Sequence, residues 1–237
     1  MRHGEVWNPG HVVYASLPGF ELTEAGVAQA RAVSRYLRSA PVVAVWSSPL
    51  ERALATAEPV AAHHGIPIRV DPELVEWKMA DDWAGIAWED LPKERPGELE
   101  AYLEHPLDMP FASESLTALA ARMRTVLASI ASRHDGDVVV VSHQDPVQAA
   151  RLSITGRDLA NQHVDKPAHG TVITLKPGTP WTELTVWHPE QAQLAETSAA
   201  AATQASAHRP TQPSAEPGVD PEANSEQLGI GLEGERW

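Results

Sequence analysis

No cysteine occurs in the 237 residues, which rules out disulfides, thiolate zinc sites, iron–sulfur ligation and a cysteine nucleophile. Bases are scarce as well: 18 Lys and Arg stand against 32 Asp and Glu, a formal net charge of −14. That deficit argues against nucleic acid as a partner, because phosphate backbones are held by surplus Lys and Arg. No apolar run approaches the roughly 18–20 residues of a membrane helix, the longest being Val138–Val141 and Ala199–Ala202. The opening Met1-Arg2-His3-Gly4-Glu5 carries no apolar signal core. We therefore expect a soluble cytoplasmic protein with no membrane partner, of open oligomeric state.

What is present divides the chain in two. Residues 1–189 alternate runs rich in Val, Leu, Ile and Trp with helical patterns, and a hydrophobic content of 43% supports one domain with a core. Residues 190–237 are dominated by Ala, Ser, Thr, Gln, Pro, Gly and Glu, with eight acids against Arg209 and Arg236. Such a tail buries too little apolar surface to offset its ordering entropy, so it is expected to be disordered.

Within the domain, Thr23 caps a helical pattern running through Val27, Ala30, Val33 and Leu37. Val42–Trp46 has the length of a strand, and Ser48-Pro49 has the form of a helix start, with Ser as N-cap and Pro at the first position. That helix ends at Gly65, with Pro59 expected to kink or shorten it. Ile66–Val70 and Asp137–Ser142 read as further strands. A long helix is expected from about Glu114 to Arg133, and another from Asp145-Pro146 to Gly156. Thr171–Leu175 and Leu184–Trp187 close the pattern around the Pro177-Gly178 turn. The segment Asp71–Phe111 is irregular, with a short helical piece at Glu98–Leu103. This alternation predicts an α/β fold, a three-layer α/β/α sandwich whose mostly parallel sheet has helices on both faces.

Ligands in such sheets bind beyond the carboxyl ends of the strands. That edge collects Arg2-His3-Gly4-Glu5, Ser47-Ser48-Pro49 with Arg52, and Ser142-His143-Gln144-Asp145-Pro146. Two histidines and two arginines form a poor metal site, because cations repel a metal and no paired carboxylate accompanies them. They form a good site for a dianion, since guanidinium forks match phosphate oxygens and helix N-termini add N–H donors. His63-His64, His134, His163 and His169 show no metal-ligand spacing, although His169, just ahead of the strand Thr171–Leu175, is a candidate neighbour of the site.

Here the sequence resembles the histidine phosphatase superfamily, which includes the cofactor-dependent phosphoglycerate mutases. The resemblance spans about Met1 to Trp187 and rests on blocks in order: Arg2-His3-Gly4-Glu5, Ser47-Ser48-Pro49 with Arg52, Ala53, Thr56 and Ala57, Leu74-Val75-Glu76, Glu114-Ser115, and Ser142-His143. It implies that His3 is the nucleophile, forming a phosphohistidine, and that Arg2, Arg52 and His143 clamp the phosphoryl oxygens. It implies that Glu76 is the general acid and base, with Asp81, Asp82, Glu73 and Glu89 as nearby alternatives. Asn8 would add a hydrogen bond to the phosphate, and neither a metal nor a cofactor is implied. The implied partner is a small-molecule phosphomonoester.

Two features depart from the family. Gln144 stands where the family commonly has Gly after the histidine, which puts a side chain at the pocket wall. Only Met1 precedes Arg2, whereas the family normally has a central strand there, so we expect the native product to carry extra N-terminal residues. The segment Asp71–Phe111 offers only Lys78, Lys93 and Arg95 as cations, which favours hydrolysis over a mutase that must hold a carboxylated sugar acid. A non-catalytic phospho-ligand sensor or scaffold is the alternative of a different class. Trp77, Trp83 and Trp88 serve either as walls of a substrate pocket or as packing residues. For the N-terminus, protein from its native source should have an intact mass above that of the 237-residue chain, and an equal mass would refute the expectation.

Overall fold

Strands whose successive side chains point to opposite faces need two apolar faces when helices cover both sides. The computed structural model, which describes residues 1–190, has that arrangement around Val42–Ser47 (β1). The expected disordered tail lies, Glu190 apart, outside the described residues. From β1, Ala44 and Trp46 face a core with Leu119, Met123, Val126 and Ile130 of α5 (Leu116–Ser132) and Ala149 and Ala150 of α6 (Gln144–Ile154). Val45 faces the other way, toward Val33 of α1 (Glu24–Tyr36) and Ala53, Ala57 and Val60 of α2 (Glu51–His64). A three-layer α/β/α sandwich results. The short helices α3 (Leu91–Glu94) and α4 (Glu98–Glu104) belong to the irregular segment between β2 and α5.

The sheet is parallel, with β1 between β2 (Ile68–Val70) and β3 (Asp137–Val141). Beyond β3 lies the start of the chain. Met1 O accepts from Ser142 N at 3.0 Å and His3 N donates to Ser142 O at 3.0 Å, while on its other side Arg2 N donates to Thr171 O at 3.2 Å and His3 O accepts from Gly170 N at 3.1 Å. Those contacts carry the layer across to β4 (Val172–Lys176), which pairs antiparallel with β5 (Thr182–Trp187). Next to Met1, the apolar side chains of Val138, Val140, Ile173 and Leu175 border a cavity of about 140 Å³.

Two local expectations are corrected. Ser48 does not cap α2: the helix begins at Glu51 with Leu50 as N-cap and no side-chain cap bond. The Ser48 hydroxyl lies instead 2.8 Å from His143 Nε2. Pro59 does not shorten α2, which continues to His64 and ends on Gly65 with φ +66°. The carbonyl of Pro59 accepts from the Ser34 hydroxyl at 2.8 Å. The other elements fall within a few residues of their expected bounds, and Thr23 does cap α1, its side chain accepting from Gly26 N.

The first turn of α1 lies directly against the chain start. Thr23 N donates to Glu5 O at 3.0 Å, its hydroxyl donates to Glu5 Oε1 at 2.8 Å, and Gln29 Oε1 accepts from Glu5 N at 2.9 Å. Only glycines permit this approach: a Cβ on Gly4 would stand 2.6 Å from Gly26 O, and one on Gly26 would collide with Glu5 O. Because both obstacles are backbone, Gly26→Ala should force α1 away and cost about 1–3 kcal/mol of stability, read from urea unfolding. Parental stability in that variant would show that the contact is looser than the geometry indicates.

Candidate active site

At the carboxyl edge of the sheet, three chain segments converge: Arg2-His3 from the start, Ser47-Ser48 at the end of β1 and Ser142-His143 after β3. The His3 side chain is buried, and its Nδ1 lies 2.7 Å from Gly4 O. A carbonyl can only accept, so Nδ1 carries the hydrogen and Nε2 keeps its lone pair. Arg52 Nε donates toward that Nε2 at 3.3 Å. Burial first, then the charges of Arg52 and Arg2, hold the His3 imidazole well below its ordinary pKa, so the ring is neutral at pH 7.

Arg52 is buried in α2, with Nη2 donating to Ala15 O at 2.6 Å and its guanidinium carbon 4.7 Å from the centre of the Tyr14 ring. Arg2 donates from Nη1 to Pro167 O at 3.0 Å, and its Nη2 lies 2.7 Å from His169 Nε2. The His143 ring centre is 5.2 Å from that of His3, and the His169 ring centre 5.6 Å. Burial, then Arg52 and His3, lowers the His143 pKa well below its usual value. Burial and then Arg2 lower that of His169 to about 4. Arg2 Nε and His143 Nδ1 are buried with no hydrogen-bond partner among the described residues. Unsatisfied buried nitrogens near a neutral imidazole suit an anion.

Glu76 enters from the segment that follows β2. Its Oε1 accepts from Trp77 N at 2.8 Å, and burial, then the charge of Asp145, raises its pKa to about 7. This segment is tied to α5 by a buried bidentate pair: Arg122 Nε and Nη2 reach Glu114 Oε1 and Oε2 at 2.8 and 2.9 Å. Arg122 also donates to the carbonyls of Glu73, Val75 and Glu76 at 2.6, 3.2 and 3.3 Å. Glu114 in turn accepts from Lys78 N at 3.1 Å and, through its carbonyl, from Trp77 Nε1 at 2.8 Å.

Glu76, Arg2 and Gln144 border one cavity of about 200 Å³, whereas the alternative acids lie elsewhere: Asp81 accepts from Ser16, Asp82 from Ser113, and Glu89 pairs with His11. Gln144 opens α6 and its Nε2 donates to Pro167 O at 3.3 Å. Asn8 closes a loop: Nδ2 donates to Val12 O at 2.9 Å and Oδ1 accepts from Val12 N at 3.1 Å. Trp77 is a core residue, Trp83 is both core and cavity wall, and Trp88 borders the cavity while staying partly exposed. Sequence reasoning missed Tyr14 and Lys166, which lie outside regular elements, and Tyr102, which lies in the short helix α4. Among the described residues no group of three His, Asp or Glu side chains is placed to hold a metal ion.

Comparison with known proteins agrees with this geometry. Residues 1–188 match the family model for the histidine phosphatase superfamily (branch 1). An uncharacterised protein of Mycobacterium tuberculosis is 40% identical over 165 residues, 67% of this chain and 78% of its own. Phosphoserine phosphatase 1 of Hydrogenobacter thermophilus is 30% identical over 164 residues, covering 68% of this chain and 76% of its own. Among solved structures, the mycobacterial glucosyl-3-phosphoglycerate phosphatase in complex with VO3 superposes with a TM-score of 0.70 at 28% identity, over 79% of this chain and 96% of that one. With the buried His3, its two arginines and His143 on the sheet edge where the motifs placed them, the chain belongs to the histidine phosphatase superfamily.

Proposed function

We propose that the protein is a metal-independent cytoplasmic phosphomonoesterase that hydrolyses a small phosphorylated metabolite through a phosphohistidine on His3. The observation that carries this reading is a neutral His3 Nε2 beside buried nitrogens of Arg2 and His143 that lack partners. An unprotonated nucleophilic nitrogen, whose long 3.3 Å contact from Arg52 Nε must give way, and donors awaiting an anion are the two requirements of phosphoryl transfer.

In the first step Nε2 attacks phosphorus in line, the bond to the leaving oxygen breaks, and Glu76 gives that oxygen its proton. Arg2 and Arg52 spread the charge that develops on the phosphoryl oxygens. His143 donates from Nδ1 once the Ser48 hydroxyl, 2.8 Å away, donates to its Nε2. In the second step water attacks phosphorus, ionised Glu76 takes the water's proton, and the bond to Nε2 breaks, returning neutral His3 and inorganic phosphate. A carboxyl with a pKa of about 7 serves both directions near neutrality. Asn8, by fixing the loop through Val12, shapes the wall beside the site, and one N–H of its amide remains for a phosphate oxygen. The relatives named as phosphatases support hydrolysis. The mutase-like relative of Arabidopsis thaliana, 32% identical, keeps phosphoryl return as the alternative.

Phosphate release from a panel of phosphomonoesters, in EDTA, tests the reading. Turnover should resist EDTA and fall by about 10³-fold or more in His3→Ala; a His3→Ala protein that keeps its turnover ends the phosphohistidine mechanism. The pH profile gives a separate check. The leaving oxygen needs protonated Glu76, so kcat/KM for an alkyl phosphate should fall as pH rises through about 7, while the lowered His3 pKa keeps the acid limb well below 6.5. Glu76→Gln should abolish the alkaline limb and reduce alkyl phosphate turnover by about 10²–10⁴, with less effect on p-nitrophenyl phosphate, whose leaving group needs no proton.

A further inference from the structure

The phosphoryl centre does not by itself select a substrate; the cavity beside it must. Its walls are Val12, Val13, Met79, Trp83, Trp88 and Tyr102, with Glu76 and Arg2 on the side facing the reaction. The aromatic walls brace one another: Trp83 meets Tyr102 edge-on at 5.4 Å and Trp88 edge-on at 6.2 Å. A preformed apolar cavity of roughly 150 Å³ takes a benzene-sized ligand, and this one, at about 200 Å³, has room for a single ring.

The charge of the wall is as informative as its shape. Asp145 borders the cavity, its Oδ1 2.6 Å from Lys166 Nζ and 3.1 Å from Gln162 Nε2, its Oδ2 accepting from the Tyr102 hydroxyl at 3.1 Å. Lys166 also donates to the Tyr102 oxygen at 2.8 Å. Its charge is thus spent on Asp145, and the only cation among the cavity-lining residues is Arg2, which belongs to the phosphoryl centre. A carboxylate or second phosphate on the leaving alcohol would lose its water with no free cation among the lining residues to pair it. An uncharged ring would instead bury apolar area against aromatic and aliphatic walls.

We propose that this cavity selects phosphomonoesters of uncharged, ring-bearing apolar alcohols, and that Asp145, by occupying Lys166, excludes anionic leaving groups. The proposal rests on the phosphatase reading and specifies the substrate class of that same site.

The test compares kcat/KM, in EDTA and at one pH, for 2-phenylethyl phosphate, glucose 6-phosphate, 3-phosphoglycerate and acetyl phosphate. We expect 2-phenylethyl phosphate to exceed 3-phosphoglycerate by about 100-fold and glucose 6-phosphate by about 10-fold. Asp145→Asn, which frees Lys166, should narrow the first ratio at least about tenfold. Trp88→Ala, at a partly exposed wall, should lower the ratio of 2-phenylethyl phosphate to acetyl phosphate by about tenfold. Preference for either of the other two metabolites, or ratios unmoved in both variants, would overturn the proposal while leaving the phosphatase reading intact. Absence of His3-dependent turnover on all four substrates would defeat that reading, and the proposal with it.

Discussion

Two guanidinium groups, Arg2 and Arg52, are buried side by side, and among the described residues neither has a carboxylate within ion-pair distance. Burying an unpaired charge is costly, and the surrounding fold offsets that cost without neutralising it. Carbonyls of Pro167 and Ala15 accept their N–H groups, and the Tyr14 ring faces Arg52. A carboxylate in contact would have been the simpler solution for stability, but it would have cancelled the field that an anion needs. Burial first, and the same surplus of positive charge after it, keeps His3, His143 and His169 neutral. The unpaired arginines thus add to what burial already does to the three imidazoles.

Glu76 is placed on the opposite principle. Glu76 sits away from full neutralisation, with burial and Asp145 raising its pKa and the two arginines opposing them. Its position depends on backbone carbonyls at Glu73, Val75 and Glu76 that all accept from one side chain, Arg122. Arg122 is itself held by both oxygens of Glu114. A bidentate pair between planar groups has one good geometry, so the segment carrying Glu76 is fixed to the Arg122 side chain of α5.

Much of this was legible beforehand. Val138–Val141 is apolar at every position because β3 is covered on both faces, and the alternation of such runs with helical patterns sufficed for the layer order. His3, Arg52 and His143 were legible because strand ends place them, and strands are set by pattern. Ser48 misled because, despite the strong preference of Ser for an N-cap, a partner elsewhere, His143, took the hydroxyl. Pro59 misled because a proline's missing N–H and ring clash were expected to break a helix whose packing against α1 and the sheet holds it together. Asp145, Lys166 and Tyr102 meet from three separate segments, and no local rule of spacing predicts such a meeting.

The chain start also has a temporal consequence. His3 gains its backbone partners from Ser142 and Gly170, near the far end of the described domain. A growing chain leaves the ribosome N-terminus first, and contacts of long sequence separation form only after their closing loop exists. Residues 1–3 therefore find their places only after the segments they pair with have been made. Until the segment around Gly170 has emerged, Met1–His3 has only half its neighbours, and during that interval its backbone donors and acceptors are open to capture by any other strand edge.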